Sequence, residues 1–234
     1  MKNSVANMVL VIVKLFNKIL QLGKFPKQWN ISHISSIFKS GDPNDCNNYR
    51  GICVSSCLGK VFTSLLQNRL TLFLEEHDLL SPNQGGFRAG YRTSDHIFIL
   101  KTLINKHVYN KNLFVCFVYF EKAFSSVARK VMLTKLLKKG VWGKNFYLIK
   151  NMYSNTLYCC KTDEYISDPF QANLGVKQGD SLRPTLFNIF VDDIISYFNP
   201  NFSNPVSLDQ IKFNHLLYAD DLILISVTLW LATL

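Results

Sequence analysis

The stretch from Phe213 to Ser226, Phe-Asn-His-Leu-Leu-Tyr-Ala-Asp-Asp-Leu-Ile-Leu-Ile-Ser, decides the fold class. Two apolar runs flank Ala219-Asp220-Asp221, a pattern typical of a β-hairpin with a polar tip. Two adjacent like charges in an otherwise apolar hairpin are costly unless a cation compensates them. The stretch therefore predicts a hairpin that carries Asp220 and Asp221 at its tip, where they can bind a divalent metal.

A second apolar run, Leu113 to Phe120, is rich in aromatic and β-branched residues. A continuous run of this kind predicts a strand that is buried on both faces and lies in the centre of a sheet. The following helix is expected to be capped by Ser125 or Ser126 and to end at Gly140. Other expected elements are a β segment at 29–38, a hairpin at 157–174 that turns near 163–164, and helices at 56–75, 94–108 and 186–198. In the helix at 56–75, the apolar face is expected to hold Leu58, Val61, Phe62 and Leu65.

A second acidic pair, Asp192-Asp193, falls on the predicted helix at 186–198. At about 100° per residue, both side chains lie far from the apolar stripe of that helix. A solvated face therefore explains this pair better than a metal site does.

Composition limits the function classes. The chain has 234 residues, of which 48% are hydrophobic and 18% charged, so it is expected to fold rather than to be disordered. Lys and Arg number 26 against 16 Asp and Glu, which leaves a net charge of +10 and makes nucleic acid or an anionic membrane the first partner to test.

The apolar runs near both ends of the chain are too short for a membrane span, and the N-terminal run fits an amphipathic helix better than a signal peptide. The sequence thus predicts an intracellular protein without a membrane partner. Six cysteines without paired Cys-x-x-Cys units favour reduced thiols over a zinc site or a disulfide framework.

Six ordered blocks together resemble the reverse transcriptases of non-LTR, LINE-type retrotransposons. The resemblance spans nearly the whole chain. The blocks are Phe38-Lys39-Ser40-Gly41-Asp42, Asn48-Tyr49-Arg50-Gly51-Ile52, Gln84-Gly85-Gly86-Phe87-Arg88, Lys122-Ala123-Phe124, Gly175-Val176-Lys177-Gln178-Gly179-Asp180 and Tyr218-Ala219-Asp220-Asp221.

This resemblance implies an α/β (α+β) right-hand polymerase fold with fingers and an antiparallel palm sheet packed against helices. Residues 1–110 would form the fingers and the start of the palm, and 111–234 mainly the palm. The thumb would be missing, because the chain ends soon after the Tyr-Ala-Asp-Asp hairpin. The implied activity is RNA-directed DNA polymerisation with an RNA template, a DNA primer and dNTP. Mg²⁺ or Mn²⁺ would bind Asp220 and Asp221, since hard cations prefer carboxylate oxygens; the alternative for this pair is an exposed turn.

The resemblance also implies nucleotide contacts. Lys39 and Arg50 would bind the triphosphate, Phe124 would stack under the sugar, and the loop at Gln178 and Gly179 would contact nucleotide and template. The alternatives are solvated surface charges, a core aromatic and an ordinary glycine turn. By the same resemblance, Gln84, Phe87 and Arg88 would contribute to the template-facing region of the fingers.

The chain departs from the family pattern after the buried strand. Tyr119 occupies the position of an aspartate that normally bridges both metals, and Ser125 replaces a second aspartate. A phenol is neutral at pH 7 and is a poor magnesium ligand. Glu121 could replace the lost carboxylate only if the local geometry shifted. We therefore predict a catalytically inactive domain fragment, and the alternative is a non-catalytic RNA-binding remnant.

Overall fold

The computed structural model describes residues 2–107, 112–162, 165–197, 205–208 and 210–228. Its six α-helices are α1 Lys2–Leu22, α2 Cys57–Glu76, α3 Thr93–His107, α4 Arg129–Lys138, α5 Gly143–Ser154 and α6 Arg183–Val191. The strands are β1 Ile31–Phe38, β2 Tyr49–Val54, β3 Phe114–Tyr119, β4 Leu157–Lys161, β5 Phe170–Gln171, β6 Val206–Leu208, β7 Ile211–Phe213, β8 His215–Tyr218 and β9 Asp221–Ser226. Mixed helices and sheets confirm the predicted fold class.

The chain forms two compact units, and each unit is built from two segments. The first contains Met1–Phe73 and Ser125–Arg183, and the second contains Leu74–Phe124 and Pro184–Leu234. The assignment of fingers to 1–110 and palm to 111–234 stays a prediction. Within the described ranges, no helix is both long enough and apolar enough to cross a membrane.

The first unit contains a four-stranded sheet in the order β2-β1-β4-β5. Strand β1 pairs with β2 antiparallel and with β4 parallel, and β4 pairs with β5 antiparallel. The expected hairpin at 157–174 is confirmed in its β4–β5 pairing, and its turn at 163–164 lies outside the described residues.

Aromatic packing sets the orientation of α2 in this unit. The Phe62 ring lies 5.2 Å from the Phe16 ring and 6.2 Å from the Trp29 ring, measured between centroids. Consequently α2 buries Phe62, Leu66 and Leu70, which are spaced four residues apart. The predicted apolar face was right only for Phe62, because the side chains exposed by more than a third are Leu58, Val61 and Leu65.

Helix α4 begins two or three residues later than predicted. Its N-cap is Ala128, which makes no side-chain cap and is held extended by an antiparallel bridge to Leu174. Capping by Ser125 or Ser126 was therefore wrong. The helix ends before Gly140, whose φ of +85° suits glycine, as expected.

The second unit contains a three-stranded antiparallel sheet in the order β3-β9-β8. The β8–β9 hairpin confirms the prediction from the opening stretch. The central position predicted for β3 was wrong: β9 is the middle strand, and Phe117 on β3 is 71% exposed. One apolar run cannot distinguish a central strand from an edge strand, because strand order depends on the partners. A core of buried side chains from α3 and the neighbouring strands contains Leu103, Val206, Phe213, Leu216 and Ile225.

The predicted helix at 186–198 is shorter and starts earlier. Helix α6 ends at Val191, a turn holds Asp192 and Asp193, and a 3₁₀ helix follows at Ile194–Tyr197. Both acids are half-buried, and an Asp192 carboxylate oxygen accepts a 2.6 Å hydrogen bond from the backbone N–H of Ser81. The interpretation of a solvated face was therefore wrong for this pair. Asp192 instead accepts a hydrogen bond from the connector between α2 and α3, residues 77–92.

Candidate active site

The β8–β9 turn places the acidic pair at one end of the second unit's sheet. Tyr218 pairs with Asp221, so the turn itself consists of Ala219 and Asp220. Ala219 has a φ of +57°, a left-handed conformation that is uncommon for a residue with a β-carbon. Asp220 is half-buried and Asp221 is exposed.

Tyr119 lies directly beside this acidic pair. The β3–β9 register makes Tyr119 and Asp221 cross-strand partners, and residues directly opposite each other project from the same face of a sheet. Tyr119 is 79% exposed, so its hydroxyl reaches solvent beside a carboxylate. The structure thus brings together Tyr119, Asp220 and Asp221.

A buried glutamine holds the acidic turn. Gln84 is fully buried, and its Oε1 accepts hydrogen bonds from the N–H groups of Gly86 at 2.7 Å and Ala219 at 3.0 Å. Its Nε2 donates to the Ala219 carbonyl at 3.3 Å. Next to it, the backbone of Leu217 accepts from Gly85 and donates to Asn83. Both polar backbone groups of the left-handed residue are thereby bonded to one side chain.

Gly86 lets the connector approach the turn closely. A β-carbon at this position would lie 2.1 Å from the Ala219 nitrogen, which no side chain permits. The Gly86 carbonyl also accepts a 2.7 Å hydrogen bond from Nδ2 of Asn188 on α6. Residues 84–86 therefore join the acidic turn to α6.

Arg88 is likewise a structural residue. Its guanidinium makes two hydrogen bonds to the Glu75 carboxylate, at 2.9 and 2.6 Å, and donates to the carbonyls of Ser81 and Gln84. The Glu75 carboxylate raises the pKa of Arg88. Gln84 is fully buried and the Arg88 side chain is 8% exposed, so both make their hydrogen bonds inside the protein, and their assignment to a template-facing region stays a prediction. Phe87 is 52% exposed.

Phe124 lies in an aromatic stack. Its ring centroid is 4.1 Å from that of Phe187 on α6 and 6.0 Å from that of Phe87. Phe187 is buried, whereas Phe124 is half-buried. Phe124 thus has one side against the core and retains an accessible part.

The other predicted nucleotide contacts belong to the first unit. Lys39 and Arg50 are exposed on the β1–β2 hairpin, where the Lys39 N–H donates to the Asn48 carbonyl at 2.8 Å. Gly179 has a φ of +89°, and a β-carbon there would lie 3.1 Å from the Cys53 carbonyl on β2. The loop with Gln178 and Gly179 therefore contacts the strand that carries Arg50.

Two buried cations of the first unit, Arg129 and Lys177, are not among the predicted site residues. Arg129 donates to the carbonyls of Gly175, Tyr153 and Ala172 and to the Tyr158 hydroxyl. Lys177 is 5% exposed and donates to Oδ1 of Asn30 at 3.3 Å; burial lowers its pKa to about 8. Lys177 stands inside one of the six blocks, whereas nothing in the local pattern distinguishes Arg129.

The donor set does not fit the two-metal site that the resemblance implies. Within the described residues, no group of three or more His, Cys, Asp and Glu side chains converges as metal ligands. Asp220 and Asp221 supply two carboxylates, and the neighbouring Tyr119 adds only a phenol. Mg²⁺ takes six oxygen ligands, and carboxylates among them neutralise its charge. The phenol of Tyr119 carries no negative charge that could do so.

Comparisons with known proteins show the family of the chain. The family model for reverse transcriptase (RNA-dependent DNA polymerase) matches residues 37–229. The chain is 30% identical over 220 residues to the RNA-directed DNA polymerase from mobile element jockey of Drosophila funebris, covering 92% of the chain and 23% of that protein. It is 28% identical over 221 residues to a Pol polyprotein from the type-1 retrotransposable element R2 of Nasonia vitripennis, covering 93% of the chain and 21% of that protein.

A solved structure shares the fold. Apo telomerase from Candida tropicalis, truncated from its C-terminal domain, superposes with a TM-score of 0.62 at 13% identity, covering 86% of this chain and 44% of that chain. This likeness concerns the fold alone, and the chain spans only about a fifth of the polymerase relatives' length. The family match covers most of the sequence, and the jockey and R2 polymerases are non-LTR enzymes. The chain therefore belongs to the reverse transcriptase family, as a domain of the LINE-type, non-LTR retrotransposon kind.

Proposed function

We propose that the chain descends from an RNA-directed DNA polymerase and that the replacement of an aspartate by Tyr119 has abolished its nucleotidyl transfer activity. The observation that carries this proposal is the register in which Tyr119 pairs with Asp221, beside the Ala219–Asp220 turn. By the family resemblance, the missing carboxylate belongs at this position. Members of this family use divalent metal ions, and two carboxylates without the third are a poor site for two of them.

The proposed partners are an RNA template, a DNA primer and dNTP. Lys39 and Arg50 support triphosphate binding because both are exposed cations on one hairpin, and neither has an ion-pair partner among the described residues. The close approach of Gly179 to β2 supports a role for the loop at Gln178 next to them. The accessible part of Phe124 supports a stacking role under the sugar.

Primer extension tests the proposal. The chain, a Tyr119→Asp variant and a Tyr119→Asp variant that also carries Asp220→Ala are each incubated with a DNA primer on an RNA template, dNTP, and Mg²⁺ or Mn²⁺. We expect no extension by the unchanged chain, extension by Tyr119→Asp, and renewed loss when Asp220→Ala is added. Robust synthesis by the unchanged chain would contradict the proposal.

The alternative function is a non-catalytic RNA-binding module. The net charge of +10 favours it, since binding to phosphates needs cations but no metal site. Measuring RNA affinity against salt concentration tests it: phosphate contacts give a steep decline with salt, and a slope near zero would exclude this module. Absence of extension by every variant, together with a steep salt slope, would favour the alternative over the lost polymerase.

A further inference from the structure

Two adjoining grooves of the first unit carry a concentration of lysines. The grooves have volumes of about 410 and 570 Å³, and both are lined by Lys24 and Asn151. The smaller one adds Lys144, Tyr147 and Lys150 from α5, and the larger one adds Lys27 and several amide side chains. Among the described residues, no carboxylate lines either groove.

The helix α5 and a hydrogen bond to the backbone fix the segments that carry these lysines next to each other. Lys144, Tyr147 and Lys150 are spaced three residues apart on α5, so they share one face of the helix. Oδ1 of Asn151 accepts the Phe25 N–H at 3.3 Å, which fixes the chain next to Lys24 against the same helix.

The end of α1 is fixed at the same place. Gly23 has a φ of +63°, and a β-carbon there would lie 3.5 Å from the Lys144 carbonyl. Because α1 therefore ends against the first turn of α5, the position of Lys24 relative to Lys144 is set by the fold. The fold therefore fixes the backbone positions from which these lysine side chains extend.

In the part of the chain that the structure describes, no ion pair compensates the positive charge of the cluster. Lys24, Lys27, Lys144 and Lys150 are all exposed, and none has an ion-pair partner among the described residues. Four like charges around adjoining grooves repel one another, and an anionic ligand with several charges relieves that repulsion. The grooves are therefore suited to a polyanion.

Tyr147 indicates which polyanion fits. Its side chain is 61% exposed and stands between Lys144 and Lys150 on the α5 face. An exposed ring flanked by cations can stack on an unpaired base while the lysines contact the phosphates on either side. The side-chain amides of Gln28 and Asn155 add donors and acceptors for base edges and sugar hydroxyls. A membrane surface fits less well, because a basic helix that lies on a membrane also inserts an apolar face, and α5 contributes to the smaller groove two lysines and a tyrosine with polar neighbours.

We infer that the grooves around Lys24, Lys144, Tyr147 and Lys150 bind single-stranded nucleic acid. This surface is separate from the residues proposed above for nucleotide and metal, since it is built from the end of α1 and one face of α5. It gives the domain a second contact with RNA whether or not the chain polymerises.

Equilibrium binding of the whole chain to a single-stranded RNA oligonucleotide, measured against salt concentration, tests this inference. The test variant is Lys144→Ala with Lys150→Ala. The matched control is Lys130→Ala with Lys138→Ala, which removes the same charge from exposed positions on α4 of the same unit. With about 0.7 counterions released per phosphate contact on a single strand, the test variant is expected to bind about tenfold more weakly near 0.15 M salt and to lose about 1.4 from the log–log slope.

Tyr147 separates stacking from simple charge attraction. Tyr147→Ala is expected to weaken binding about fivefold or more at unchanged salt slope, and Tyr147→Phe is expected to retain the affinity. Equal affinity for the Lys144→Ala/Lys150→Ala variant and its α4 control would overturn the inference, as would an unchanged chain that binds no RNA. Lysine-dependent binding to phosphatidylserine vesicles in preference to RNA would also overturn it. None of these outcomes depends on primer extension, which tests the polymerase proposal separately.

Discussion

Replacing Gln84 with alanine should release the acidic turn. The substitution removes three hydrogen bonds, to Gly86 N–H, Ala219 N–H and the Ala219 carbonyl, in a fully buried place. A net hydrogen bond contributes about 1 kcal/mol, and a buried group left without a partner costs about 1–3 kcal/mol more. We therefore expect Gln84→Ala to lower the free energy of unfolding by about 3–5 kcal/mol.

Urea denaturation followed by circular dichroism measures that loss. The control is Gln28→Ala, which changes the same residue type at an exposed position and should shift stability by less than about 0.5 kcal/mol. Amide hydrogen exchange gives a local readout, because the Ala219 N–H is bonded to Gln84 Oε1. In Gln84→Ala, its protection should fall by more than the global loss of stability predicts.

Two results would refute this reasoning. A loss below about 1 kcal/mol would mean that the hydrogen bonds of Gln84 are replaced at little cost, against the usual penalty for buried unpaired groups. Unchanged protection of the Ala219 amide would mean that the left-handed turn holds its conformation without Gln84. Either result would remove Gln84 as the residue that positions Asp220 and Asp221.

Two further predictions concern pH. Burial lowers the pKa of His215 from 6.5 to about 4, so folding favours its neutral form. The chain should therefore lose about 2 kcal/mol of stability between pH 7 and pH 5. Urea denaturation of His215→Leu at both pH values should show that most of this dependence is gone. Burial lowers the pKa of Lys177 from 10.5 to about 8, so the free-energy cost of burying its charge disappears as pH rises. The stability of the unchanged chain relative to Lys177→Met should therefore increase by about 2 kcal/mol between pH 7 and pH 9.5. Parallel profiles of stability against pH for the two proteins would contradict this.

Much of the second unit could be predicted from local sequence. The hairpin around Ala219-Asp220-Asp221 follows from two apolar runs and a polar tip, and the structure has it at β8 and β9. The edge position of β3 could not be predicted, since strand order depends on pairing between segments that are distant in sequence. The proximity of Tyr119 to Asp221 is implied by the family resemblance, whereas the residues alone do not predict it, because it arises from the β3–β9 register.

The structural functions of Gln84 and Arg88 become clear only from the burial of their side chains. Both residues are polar, and the resemblance assigns their block to a template-facing region without saying what each side chain contacts. In the structure each is buried against hydrogen-bond partners, Gln84 in the Ala219 turn and Arg88 at Glu75. A polar residue type is compatible with solvent or with a fully paired interior, and only tertiary contacts distinguish the two.

We propose that Tyr119 stands where a carboxylate would complete a metal site with Asp220 and Asp221. Mn²⁺ binding measured by electron paramagnetic resonance tests this position without template or primer. Tyr119→Asp adds one carboxylate, and Tyr119→Asn is its neutral control of the same shape. We expect Tyr119→Asp to bind Mn²⁺ at least about tenfold more tightly than the unchanged chain, and Tyr119→Asn to bind it no more tightly. Equal Mn²⁺ affinity in all three proteins would show that no metal site lacks a carboxylate at this position.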